Sequence, residues 1–125
     1  MYNHDYSSDY NPAMPALEVG LGLVRSQIIL TLPAIVDSGT DATLIPVSYL
    51  DQISALPAGE QWLRGVVGEG YTVEIYPIFI QIGNYSLYVK AVGDELNDEL
   101  IIGRDVLNQF IVTLNGLASM VEISQ

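Results

Sequence analysis

Fifteen carboxylates, one histidine and no cysteine set the catalytic options of this 125-residue chain. With no thiol, and with His4 alone in a polar terminal stretch, cysteine nucleophiles, His-assisted serine catalysis and Cys- or His-based zinc sites are excluded. Acid–base work by Asp or Glu is what remains. Most of the acids lie among polar neighbours and read as surface charges. Asp37 differs: it follows the apolar run Ala34-Ile35-Val36 and precedes Ser38-Gly39-Thr40, so a carboxylate stands where a buried strand ends in a tight turn. The ordinary role for an aspartate there is to close an Asx turn or cap a helix, with no chemistry. Arg104, one of four cations, is the second unusual residue, because it follows Leu100-Ile101-Ile102-Gly103 and precedes Asp105. A guanidinium at the end of a buried strand calls for a carboxylate in bidentate geometry, and Asp41 is the expected partner. That ion pair would hold the fold whether or not catalysis occurs.

Both spots need strands to carry them, and from Leu17 onward the chain supplies short β segments. Leu17, Val19, Leu21 and Leu23 alternate on one face, Arg25-Ser26 is a turn, and residues 26–32 run back, which together make a hairpin. Pro33 belongs at a strand end or bulge. Residues 34–37 read as a short buried strand and 43–46 as another, followed by a short helix over 46–54 bounded by Pro46 and Pro57. Residues 59–83 read as a long hairpin with a mobile tip near 67–70 and with Gly65, Gly68 and Gly70 between its β-prone arms; Pro77 marks a bulge or unpaired edge in its second arm. A strand over 84–93, an acidic loop over 94–99, a buried strand over 99–102, a helix over 103–110 with Asp105 capping a turn, and a hairpin at Asn115-Gly116 follow. The sum is a mainly β domain with two short helices, a closed or sandwich-like barrel. Residues 1–16 are polar, Tyr-rich and without either periodicity, so they read as a flexible arm preceding a folded domain over 17–125.

Half of the chain is hydrophobic and 15% is charged, enough apolar surface for one packed core and too little charge for a disordered segment. The net charge of −11 argues against partners held by their phosphates, since counterion release needs clustered cations; nucleic acid and anionic membranes are not expected. The longest apolar stretch, 28–36, contains Thr31 and Pro33 and falls short of the roughly 20 residues of a spanning helix. Residues 1–11 have no basic and apolar regions of a secretory leader, and a cytoplasmic location is expected.

The segment Ala34-Ile35-Val36-Asp37-Ser38-Gly39-Thr40-Asp41-Ala42-Thr43 resembles the active-site loop of aspartic proteases, in which a hydrophobic strand leads into Asp-Thr/Ser-Gly. Leu100-Ile101-Ile102-Gly103-Arg104-Asp105-Val106-Leu107 resembles the Ile-Ile/Leu-Gly-Arg-Asn/Asp-Leu-Leu segment of the retroviral type, the retropepsins, and Gly65-Val66-Val67-Gly68-Glu69-Gly70-Tyr71 between them resembles the glycine-rich flap. Order and rough spacing match over about residues 17–116. Asp-Ser-Gly alone is weak, but the three segments in this order are specific.

The resemblance implies a retropepsin-like acid-protease fold, a closed β-barrel-like domain with a flap hairpin, and a cellular rather than viral member. It also implies an aspartic endopeptidase acting on polypeptides without metal or cofactor. One such motif per chain, in a chain too short for two lobes, implies a homodimer with Asp37 of each subunit at a twofold axis. Asp37 is then the catalytic aspartate, Ser38 bonds across the dimer to the opposite loop, and the Gly39 carbonyl accepts a substrate N–H. Asp41 binds substrate backbone and pairs with Arg104, Gly103 permits close strand approach, and Val66, Val67, Gly68, Glu69, Gly70 and Tyr71 close over the substrate. The sequence departs from the family at Ser38, commonly Thr, at Thr40, commonly Ala in the retroviral enzymes, and in a further strand, 119–123, after the family-like Val112-Thr113-Leu114-Asn115. The alternative from another class is a retropepsin-like binding or dimerisation module with weak or no cleavage. It is distinguished by peptide digests that, for the native protein and for Asp37→Ala alike, do not differ from buffer.

Overall fold

A computed structural model of the chain describes residues 1–64 and 70–125. The first barrel strand, β2 (Ala16–Gly22), buries Leu17, Val19 and Leu21 completely, the two-residue period expected of one face of a strand. The chain turns through Ser26, at φ 62°, and returns antiparallel as β3 (Leu30–Val36), with Leu17 opposite Ala34 and Val19 opposite Leu32. The expected break at Pro33 does not occur: one strand runs through it. On its other side β3 pairs with β8 (Leu100–Ile102) only from Ala34 onward, so Pro33 stands just ahead of that ladder, where a missing N–H is tolerated.

The remaining barrel strands are β4 (Leu44–Pro46), β6 (Gly70–Ile82) and β7 (Tyr85–Asp94). They run in the order β2-β3-β8-β4-β7-β6, and β6 closes on β2 to make a six-stranded barrel. The helix α1 (Val47–Gln52) follows β4 at once and buries Leu50. β5 (Glu60–Arg64) pairs with the first five residues of β6 as an antiparallel hairpin outside the barrel. The long β6 thus changes partners, from β5 over Gly70–Glu74 to β2 over Phe79–Gln81. Pro77 falls in the interval between the two ladders while facing Lys90 of β7. Ile45, Leu50, Ile53, Ile78, Ile80, Ile82 and Ile102 fill the barrel with at most 1% of their surface exposed, each side chain contributing about 1.5–3 kcal/mol by leaving water.

After β8 the four-residue α2 (Arg104–Leu107) leads into β9 (Ile111–Asn115), which hairpins into β10 (Met120–Ser124). The N-terminal residues complete this second sheet. β1 (Tyr2–Asp5) pairs antiparallel with β10, Tyr2 opposite Ile123, in the order β1-β10-β9. The reading of 1–16 as a flexible arm is therefore corrected for its first residues. Tyr2, His4 and Tyr6 are half-buried while Asn3 and Asp5 are exposed, a two-residue period carried by polar-tipped aromatics that a hydropathy count passes over. The Tyr2 ring lies over Gly83, which has φ +57° and no room for a Cβ. Burial raises the Tyr2 phenol pKa, against the backbone hydrogen bond it shares with Glu18. Among the described residues no helix is long and apolar enough to cross a membrane.

Candidate active site

β3 and β8 run parallel through the barrel, Val36 beside Ile102, and their ends carry the two unusual segments of the sequence. The Asp37 amide still donates to the Ile102 carbonyl at 3.0 Å, so the aspartate begins its turn anchored to the neighbouring strand. Its side chain then organises that turn. Oδ1 accepts the Gly39 amide at 2.8 Å and Oδ2 accepts the Thr40 hydroxyl at 2.8 Å. The Thr40 amide closes the turn on the Asp37 carbonyl at 3.3 Å. The carboxylate is half-buried and each oxygen has a donor, while Ser38 and Gly39 are exposed at the tip. Such a carboxylate is held in one orientation by its own turn.

The β8 end supports this loop from below. Gly103 is buried against it: a Cβ there would meet the Ala42 carbonyl oxygen at 2.7 Å and that of Thr40 at 2.8 Å. Only glycine allows that approach. The Arg104 amide donates to the Thr40 carbonyl at 2.8 Å and its Nη1 to the Ser38 carbonyl at 2.7 Å, so one residue ties down two carbonyls of the turn. The pairing expected between Arg104 and Asp41 is not made. Both residues are exposed, so the guanidinium needs no buried counter-charge, and it is aimed at the backbone instead.

Thr43, which the sequence reading left without a role, and Asp105, expected only to cap a turn, complete the support. Thr43 is fully buried, the one polar residue in the core among those described. Its amide donates to Asp105 Oδ2 at 3.0 Å and its hydroxyl to Asp105 Oδ1 at 2.8 Å, and that hydroxyl accepts the Gly103 amide at 3.2 Å. Asp105 Oδ1 also takes the Val106 amide at 2.9 Å. The turn-capping role expected of Asp105 is thus a small part of what it does. The visible signal was Thr43 itself, a lone hydroxyl beside the apolar run Leu44-Ile45.

Beyond β4 lies a cavity of about 420 Å³ between the base of the β5–β6 hairpin and the acidic β7–β8 loop. Leu44, Val47, Tyr71, Tyr76 and Val92 give it apolar walls, and Glu60, Glu74, Asp94 and Glu95 reach it as well. The Tyr76 hydroxyl donates to Glu74 Oε2 at 3.3 Å; its pKa is raised by burial first and then by the negative field of Glu74, Asp51 and Glu95. Of the residues expected to close over a substrate, Gly70 and Tyr71 open β6, with the Trp62 indole over Gly70 and Tyr71 half-exposed on the cavity. Val66, Val67, Gly68 and Glu69 lie outside the described residues. Asp37, Ser38, Gly39, Gly103 and Arg104 are brought together, and Asp41 sits exposed at the next bend.

No protein-family model and no curated protein sequence matches the chain. Among solved structures it is similar to the EIAV protease complexed with the inhibitor HBY-793, at 18% identity and a TM-score of 0.57, over 85% of this chain and 93% of that one. The mainly β frame that joins the Asp37 turn to the Gly103–Asp105 segment, a closed barrel with two short helices, is accordingly a retropepsin-like fold.

Proposed function

We propose that the chain is an aspartic endopeptidase that works as a homodimer, each subunit contributing Asp37. The observation that carries this reading is the Asp37 turn. A half-buried carboxylate is oriented by Gly39 and Thr40 at the end of a barrel strand, with Ser38 and Gly39 after it exposed, within a retropepsin-like fold. One chain offers one such carboxylate, and the chemistry needs two. When two carboxylates approach within a few ångströms they share a proton, as is general for aspartic proteases. The ionised member takes a proton from a water as that water attacks the scissile carbonyl, and the protonated member gives its proton to the developing oxyanion. Collapse of the tetrahedral species, with a proton passed to the leaving nitrogen, releases both products without a covalent intermediate.

The neighbouring groups fit this use. Arg104 and Gly103 hold the turn from behind, so the carboxylate need not reorganise as charge moves. Because Arg104 is aimed at Ser38, the exposed Asp41 is left to accept substrate backbone amides, and the Gly39 carbonyl accepts another. Gly70 and Tyr71 end the β5–β6 ladder on the side away from the Glu60–Glu74 pair, in the hairpin that would cover the bound peptide.

The test is a mass-spectrometric digest of a complex peptide library by the purified protein and by Asp37→Ala, from about pH 4 to about pH 7, the range over which a shared-proton pair works. Cleavages made by the native protein and missing with the variant establish the peptidase and give its specificity. Digests indistinguishable from buffer favour a binding module on the same fold.

A further inference from the structure

The described residues leave three sheet edges without a strand partner: the outer sides of β1, β5 and β9. Two of them carry a charge of the kind with which exposed edges normally resist pairing, Asp5 on β1 and Glu60 on β5. The third does not. β9 reads Ile111-Val112-Thr113-Leu114-Asn115, with no charge, no proline and no glycine. Ile111 is 61% and Leu114 52% exposed, while Val121 and Ile123 on the adjacent β10 are fully buried. An uncharged, β-branched, half-apolar edge is a template for another strand.

We propose that β9 pairs antiparallel with β9 of a second copy across a twofold axis near Thr113, merging the two terminal sheets into one six-stranded sheet in which no strand is exchanged. The choice of a second copy as occupant rests on the protease reading, which leaves the site incomplete in one chain. Two further observations favour it. Each copy carries a net charge of −11, so contact between two copies costs least where charge is absent. The nearest carboxylate in that sheet, Glu122, lies opposite Thr113 one strand inward. Across the merged sheet it faces its counterpart at three strand spacings, about 14 Å, beyond the screening length of about 8 Å at physiological salt. The edge is also tied to the site. Arg104, which grips the Ser38 carbonyl, opens α2, and only residues 108–110 separate Leu107 from β9. β10 and β1 already fill the inner side of β9 from within the same chain, so no terminal strand has to cross to the partner.

The chain has no cysteine, so introduced thiols report alone. Thr113→Cys and Leu114→Cys are oxidised mildly and run on non-reducing gels beside Leu56→Cys, an exposed site away from the edge. At least one of the β9 variants shifts to a covalent dimer, reversed by reductant, while Leu56→Cys stays monomeric. The double variant Asn3→Cys/Glu122→Cys, at facing positions of β1 and β10, closes a disulfide within one chain and runs as a monomer without free thiol. Failure of both β9 variants to crosslink, or a covalent dimer from the Asn3/Glu122 pair, overturns the proposal. Peptidase activity is read separately. Crosslinking without activity keeps the interface and removes the protease reading, and activity without crosslinking does the reverse.

Discussion

Asp37 and Asp105 follow two strands that lie side by side in parallel, and their carboxylates do opposite things. Asp37 accepts only from its own turn, two and three residues ahead, and holds Gly39 and Thr40 around itself. Asp105 reaches 62 residues back to clamp the amide and hydroxyl of Thr43. Exposure does not separate them, since Asp105 is the more exposed of the two. What separates them is the range of their hydrogen bonds. A carboxylate whose partners are all local can be changed without untying the barrel, whereas one joining distant segments at a buried donor is part of the frame.

The sharpest break in that comparison is Asp37→Asn, which keeps an oxygen for the Gly39 amide. On the protease reading, peptidase activity falls by about 10² to 10⁴-fold, the usual worth of a general acid–base group. Thermal unfolding followed by circular dichroism should move only slightly. Asp105→Ala reverses the pattern. It strips two donors of the buried Thr43 of their acceptor and should cost about 2 kcal/mol in urea unfolding, with Asp105→Asn recovering part through its one remaining oxygen. Thr43→Val removes only the hydroxyl side of the same clamp and is expected to cost about 1 kcal/mol. Asp41→Asn is the smallest in stability, within about 0.5 kcal/mol as for an exposed residue without partners. On the protease reading it raises KM, and an unchanged KM would remove Asp41 from the substrate site.

The strands and the Asp37 turn were legible because apolar alternation and an isolated charge are local signals. Leu17, Val19 and Leu21 announce β2 without help from the rest of the chain, and Ala34-Ile35-Val36 followed by Asp37 announces its own exposed end. The parts that were misread depend on distant partners. That Pro33 lies inside a strand follows only from where β8 begins to pair. The partner of Arg104 follows from the depth at which Gly103 seats the turn, which brings the Ser38 carbonyl within reach before the Asp41 carboxylate. The Thr43–Asp105 clamp joins positions far apart in sequence, and no spacing rule connects them. β1 was missed for a different reason: its half-buried face is made of Tyr2 and His4, whose polar tips hide the area they bury.

The pairing of β1 with β10 also bears on how the chain can be re-engineered. With Tyr2 opposite Ile123, the first and last strands are nearest neighbours running in opposite directions, so the two termini meet at one corner of the sheet, about one strand spacing apart. A linker of a few residues would close the backbone into a circle, and the fully exposed Leu117 in the β9–β10 turn offers a place to reopen it. Such a circular permutant would keep every ladder and leave the Asp37 turn untouched, while β9 would become the last strand of the chain.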